Sequence, residues 1–210
     1  MPAVALVVPV RSFASGKSRL AHRLEPEQRA RLARALAEVV VDVAHGLPTF
    51  VVCDDREIAE WATDRGARPV IVAARGLNES LTEARPHVLE SASADWIAIV
   101  HADLPLASSL GVELDRLLAD RSEDSVVLVT DRAGDGTNVL LIHRRELARW
   151  TFAYGPASCT AHRDQAVALG LRPEIVESLD LSVDLDTEAD LDDPRVMSFV
   201  QNVRAQGSRR

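Results

Sequence analysis

Ala3-Val4-Ala5-Leu6-Val7-Val8-Pro9-Val10, followed by Arg11-Ser12-Phe13-Ala14-Ser15-Gly16-Lys17-Ser18-Arg19-Leu20, decides the fold. Eight consecutive apolar residues without alternation read as a strand covered on both faces, as parallel sheets require. A loop with three cations follows, and then a helical pattern from Glu27 to His45 placing Leu32, Leu36, Val39, Val40 and Val43 on one face. The same rhythm continues outward. Strands are expected at Thr49–Cys53, Pro69–Ala73 and Trp96–Val100, and helices after Asp54 or Asp55, over Asn78 to Ser91 and over Gly111 to Asp120. Ser125–Thr130 and Asn138–His143 flank the turn Asp131 to Gly136 and predict an antiparallel hairpin. A helix from Ser158 to Leu169, short strands at Arg172–Val176 and Leu181–Leu185, and a helix from Pro194 complete the series. The expectation is a three-layer α/β fold with a mostly parallel sheet, one domain over residues 1–205 and a flexible tail over 206–210.

Composition narrows the classes. Of 210 residues, 47% are hydrophobic and only 4% aromatic, so the core is built from aliphatic side chains and disorder is excluded. Lys and Arg number 24 against 32 Asp and Glu, a formal net charge of −8, which argues against nucleic acid or an anionic membrane as partner. Met1 and Pro2 supply no basic leader, and no apolar run reaches membrane-spanning length, so a cytoplasmic protein is expected. Cys53 and Cys159 give neither a disulfide framework nor a zinc spacing, and read as two buried thiols.

In sheets of this kind ligands gather at the carboxyl ends of strands. Gly16-Lys17-Ser18 invites a P-loop reading, but that motif needs Gly where Arg11 stands. What remains is a loop carrying Arg11, Lys17 and Arg19, suited to phosphates, against the plainer reading of a solvated connection. After the fourth strand, Asp103 in His101-Ala102-Asp103-Leu104-Pro105 can present a magnesium ligand or simply begin a turn. In Val183-Asp184-Leu185-Asp186-Thr187 the two carboxylates alternate, so an extended backbone points them the same way. With Asp103 they would form an oxygen site for Mg²⁺; the alternative is that Asp186 or Thr187 caps a short helix running into Asp190. Tyr154-Gly155-Pro156-Ala157-Ser158 opens a helix carrying His162, and a helix start attracts anions.

Together these segments resemble the phospholactate and phosphoenolpyruvate guanylyltransferase family of coenzyme F420 biosynthesis. The resemblance rests on the first loop to Leu20, Gly76-Leu77-Asn78, Ala102-Asp103-Leu104-Pro105, Gly136-Thr137-Asn138-Val139-Leu140-Leu141, Phe152 to Ser158 with Ala161-His162, and Val183 to Thr187. It implies a nucleotide-diphospho-sugar transferase fold and GMP transfer from GTP to phosphoenolpyruvate, 2-phospholactate or 3-phosphoglycerate. By the resemblance Asp103, Asp184 and Asp186 hold magnesium. Thr137, Gly155 and Ser158 hold the acceptor, Arg11, Lys17 and Asn78 the nucleotide, and Lys17 and Arg19 assist catalysis. Arg11 stands where the family suggests Lys, Asp135 in a Gly-Thr-Gly-Thr-like turn, and Ala157 and Cys159 where Gly and Phe are usual. Rival readings are a transferase of the same fold acting on a sugar phosphate, a pterin or a methylerythritol phosphate, and a silent nucleotide-binding module. The oligomeric state stays open, a homodimer being one arrangement.

Overall fold

The computed structural model describes residues 3–14, 16–44 and 46–207. β1 (Val4–Pro9) runs into the first loop, a 3-10 turn at Ser18–Leu20 and α1 (Pro26–Asp42). A capping box between Glu25 and Gln28, with Pro26 in the first turn, starts α1. β2 (Thr49–Cys53), α2 (Arg56–Asp64), β3 (Arg68–Ile71), α3 (Leu77–Ser91) and β4 (Trp96–Val100) follow. Then come α4 (Leu110–Leu118), β5 (Ser125–Thr130), β6 (Thr137–His143), α5 (Arg144–Leu147) and α6 (Ser158–Ala168). β7 (Arg172–Val176), α7 (Glu188–Leu191) and α8 (Pro194–Gly207) close the chain.

The seven strands lie in the order β3-β2-β1-β4-β6-β5-β7. All pair in parallel except β6, which is antiparallel to both β4 and β5. Reversing β6 has a positional result: its first residue, Thr137, stands at the edge where the other strands end. Every site-bearing loop is therefore on one rim of the sheet.

Alternation along β1 divides the core. Leu6 and Val8 face α1, α2 and α4, against Ala37, Trp61 and Leu114. Ala5 and Val7 face the other layer, with Leu81 and Val88 of α3 and Ala166 of α6. A third cluster joins Leu32 and Leu36 of α1 to Val196 and Val200 of α8, and takes in Val183 and Leu185. Each fully buried side chain of this size contributes about 1.5–3 kcal/mol.

Two expectations are corrected. Leu181–Leu185 is not a strand. Its backbone partners come from elsewhere: Asn138 Nδ2 donates to the Leu181 carbonyl (3.0 Å), Leu185 N–H to the Asp103 carbonyl (3.0 Å), and the Ser178 hydroxyl accepts from Leu181 N–H (3.1 Å). The alternation survives, because Val183 and Leu185 are drawn into the third cluster. Gln206 and Gly207, expected in the tail, belong to α8; residues 208–210, like the predicted helix end at His45, lie outside the described residues.

Candidate active site

The loop after β1 turns at Lys17, whose φ of 55° is left-handed and costs a side-chain-bearing residue about 1–2 kcal/mol. That turn sends the ammonium inward. Lys17 Nζ lies 2.8 Å from Asp103 Oδ2 and 3.5 Å from Asp186 Oδ1, with the side chain only 9% exposed. Burial alone would lower the Lys17 pKa, but Asp103 and Asp186 more than offset it and hold it above the ordinary value. Burial likewise would raise the Asp103 carboxyl, and Lys17 with His101 brings it below its ordinary value. Both groups are charged. Arg19, 73% exposed, donates to Asp186 Oδ2 at 2.7 Å. Arg11 is exposed and has no ion-pair partner among the described residues.

Asp103 is held by the short turn after β4, and its Oδ1 is buried with no hydrogen-bond partner. Asp184 faces it. Burial, then the Asp103 charge, pushes the Asp184 carboxyl up to about 6. Asp186 pairs with Arg19 and with Lys17, the ammonium it shares with Asp103. Among the described residues no three His, Cys, Asp or Glu side chains converge on a common point. Of the three expected metal carboxylates, Asp103 and Asp186 share the Lys17 ammonium, and Asp184 is an electrostatic neighbour of Asp103. The capping reading of the Asp184–Asp190 segment is present: Thr187 caps α7 in a capping box with Asp190, while Asp186 pairs with Lys17. Asp190 Oδ2 accepts from Asp186 N–H (3.0 Å) and Thr187 N–H (2.7 Å), and Arg132 of the β5–β6 hairpin pairs with Asp190 and with Asp193 (2.6 Å). Thr187 followed three residues later by Asp190 was a legible sign of this; the pairing with Arg132 was not.

Two adjoining clefts meet at Arg11 and Ser12. One, of about 320 Å³, is lined by Val10, Phe13, Gly16, Lys17, Leu77, His101 and Asp103. The other, of about 530 Å³, opens over the ends of β2 and β3 and is lined by Asp54, Asp55, Val72, Ala73 and Arg75. Asp54 and Arg75, like Arg11, have no ion-pair partner among the described residues. Sequence reasoning singled out neither for chemistry.

Asn78 does not face these clefts as a free amide. Its Oδ1 accepts from Tyr154 N–H (2.8 Å) and its Nδ2 donates to the Tyr154 carbonyl (3.0 Å), as a strand neighbour would. The expected nucleotide contact becomes a clamp on the Phe152–Ser158 loop.

Thr137, Gly155 and Ser158 do come together. Thr137 is 1% exposed, and its hydroxyl oxygen lies 3.1 Å from His162 Nδ1 and 3.4 Å from Ser158 Oγ. Ala153 N–H donates to His162 Nε2 (3.1 Å), which leaves the proton on Nδ1 to be donated to Thr137. Burial and then His101 bring the His162 pKa down to about 4, so the ring is neutral at pH 7. The Thr137 oxygen thereby accepts from His162 and Ser158, and its own proton is left uncommitted among the described residues.

Asp135 changes the start of α6. Its Oδ2 accepts from Ala157 N–H (3.0 Å) and its carbonyl from Cys159 N–H (2.9 Å), while Ser158 N–H reaches the Gly155 carbonyl (3.2 Å). The exposed N–H groups expected to greet an anion are in part already met by this carboxylate. Gly155 (φ 136°) and Ala157 (φ 58°) build the bend that permits it. Cys53 and Cys159 are free and buried, as expected.

A mostly parallel sheet whose rim gathers carboxylates beside phosphate-sized clefts and cations defines a nucleotidyltransferase. Solved structures agree on the fold: a nucleotidyl transferase from Methanothermobacter thermautotroptrophicus superposes with a TM-score of 0.66 at 18% identity, covering 95% of this chain and 99% of that one. The family model described as "Guanylyl transferase CofC like" matches residues 4–198, and the chain belongs to that family. Its relatives include the phosphoenolpyruvate guanylyltransferase of Sphaerobacter thermophilus, 34% identical over 191 residues, covering 89% of this chain and 90% of the relative. The 2-phospho-L-lactate guanylyltransferase of Methanocaldococcus sp. (strain FS406-22) is 28% identical over 187 residues, covering 89% and 78%.

Proposed function

We propose that this nucleotidyltransferase joins GMP from GTP to phosphoenolpyruvate, with Mg²⁺, as a step toward coenzyme F420. One observation carries the reading: at a single rim, Asp103, with a buried and unpartnered Oδ1, stands beside the Lys17 ammonium and within electrostatic reach of Asp184, with the Thr137 hydroxyl at the start of the neighbouring strand. An acceptor phosphate has a second pKa of about 6 and is already a nucleophile at pH 7. One of its oxygens attacks the α-phosphorus of GTP, a new P–O–P linkage forms, and pyrophosphate leaves with the electron pair of the broken bond. No general base is needed, which suits a site whose histidines, His101 and His162, are both kept below their ordinary pKa by burial.

The donors fit Mg²⁺, which commonly takes one or two protein carboxylates and fills its shell with phosphate oxygens and water. Asp103 and Asp184 would hold it, and its charge would offset that of the two polyanions being brought together. Arg11 and Arg75 draw the triphosphate into the wider cleft. The Asp54 carboxylate at its rim accepts the paired N–H donors of the guanine edge, which cytosine and uracil do not offer. Thr137 and the turn at Gly155 and Ser158 orient the acid. 2-Phospholactate and 3-phosphoglycerate share the carboxylate and phosphate that these groups recognise.

The test is pyrophosphate release with each nucleoside triphosphate and each phospho-acid in turn. GTP with phosphoenolpyruvate should lead, and Asp103→Asn should abolish turnover with thermal unfolding intact. Release with CTP and a sugar or methylerythritol phosphate would replace this reading by its rival.

A further inference from the structure

Lys17 occupies an unusual place for a phosphate-binding lysine. Its side chain is withdrawn from solvent, bridges Asp103 and Asp186, and is aimed inward by a left-handed backbone turn. Beside it, Asp103 Oδ1 is buried and unpartnered, and Asp184, close enough to feel the Asp103 charge, has no ion-pair partner among the described residues. A buried carboxylate without a counter-charge is strongly unfavourable, so some cation must stand here whenever the rim is empty. We propose that Lys17 is the resident counter-ion of the metal site, holding Asp103 in the nucleotide-free protein and yielding it to the divalent cation only when a triphosphate draws the ammonium away. The inference rests on the metal-nucleotide reading given above and adds an order of events to it.

The physical basis is competition for one oxygen pair. Asp103 Oδ2 lies at hydrogen-bond distance from Nζ, and an ion approaching Asp103 and Asp184 meets the ammonium's positive charge within a few ångströms. A triphosphate reverses the balance twice, by supplying oxygens to the metal and new acceptors to Lys17. Metal and nucleotide then bind with positive coupling, and metal alone binds poorly.

The experiment is Mn²⁺ binding to the nucleotide-free protein, by electron paramagnetic resonance and by the metal-dependent rise in Tm, with neither acceptor nor turnover involved. Wild type should bind with a millimolar or weaker Kd. Lys17→Met, which keeps length and removes charge, should bind at least about tenfold more tightly. Its Tm should be low without metal and rise more steeply with Mn²⁺ than wild type, as preferential binding to the folded state requires. Lys17→Arg should remain weak, separating charge from shape. Lys17→Met combined with Asp103→Asn, which removes the orphaned charge, should fold and lose the gain. Equal Mn²⁺ affinity in wild type and Lys17→Met, or micromolar binding by wild type alone, would overturn the proposal. A protein that passes this test yet transfers no GMP would refute the function and leave the exchange standing.

Discussion

Asn78→Ala separates a residue that touches nucleotide from one that holds the neighbouring loop. The substitution removes two hydrogen bonds, at 2.8 and 3.0 Å, both to the backbone of Tyr154. Each lost bond costs about 1 kcal/mol, rising to about 2 kcal/mol if the backbone group stays buried and unsatisfied, so a loss of roughly 2–4 kcal/mol is expected. For a chain of this size each kcal/mol moves Tm by about 2–4 °C, giving a fall of roughly 4–16 °C by thermal unfolding. Because Tyr154 leads directly into Gly155 and Ser158, the acceptor KM should rise several-fold while the GTP KM stays near its wild-type value. Asn78→Asp should do no better, since it keeps the acceptor for Tyr154 N–H but sets an oxygen against the Tyr154 carbonyl. An Asn78→Ala protein with unchanged Tm and a tenfold higher GTP KM would refute the clamp and return Asn78 to the nucleotide.

Three further substitutions probe the rim. Thr137→Val keeps shape and deletes the donor, so the acceptor KM should rise by about tenfold, a loss within roughly 1–3 kcal/mol, at constant GTP KM; the opposite pattern would assign this pocket to the wrong substrate. Asp135→Asn retains an oxygen for Ala157 N–H but removes a negative charge beside Ser158, so the acceptor KM should fall, most clearly at low ionic strength; no change would make Asp135 a cap and nothing more. Asp184, pushed up to about 6 from its ordinary 3.8, binds a proton in the folded state that the unfolded chain has released, so it erodes stability as pH rises through that window. In metal-free buffer Asp184→Asn should match wild type near pH 4 and exceed its Tm above about pH 6.5; coincident Tm profiles across that range would show that Asp184 is not under strain.

Much of the framework was readable because it depends on local pattern. β2, β4 and β5 lie where largely apolar runs placed them, β7 lies where a short strand was expected, and the hairpin between β5 and β6 followed from its turn residues. The Leu181–Leu185 segment misled for a specific reason: Val183 and Leu185 alternate like a strand, but their partners are side chains and a turn carbonyl that no local pattern reveals. The same limit governs the site. Which residues matter was legible from their position after strands, whereas what each one touches was not. Lys17 and Asp103 are 86 residues apart and Asn78 and Tyr154 are 76, so their pairing is a property of the folded rim alone. Asp135 was visible as an acidic residue in a glycine-rich turn, yet its hold on Ala157 and Cys159 depends on where α6 begins.

The reversed strand β6 makes the sheet a hinge between two inheritances. On one side, β3, β2, β1 and β4 bring Arg75, Asp54, Arg11 and Asp103 to the rim; on the other, β6, β5 and β7 bring Thr137, Asp135 and, through the following loop, Asp184. The boundary is the antiparallel ladder from Trp96 opposite His143 to Val100 opposite Val139, held by backbone groups that any side chain can supply. Choice of acid can therefore drift on one flank while the chemistry of the donor is kept on the other. A chimera cut in the connection between β4 and β5, and taking its second flank from a relative with a different acceptor, should change the acid it modifies and keep its nucleotide.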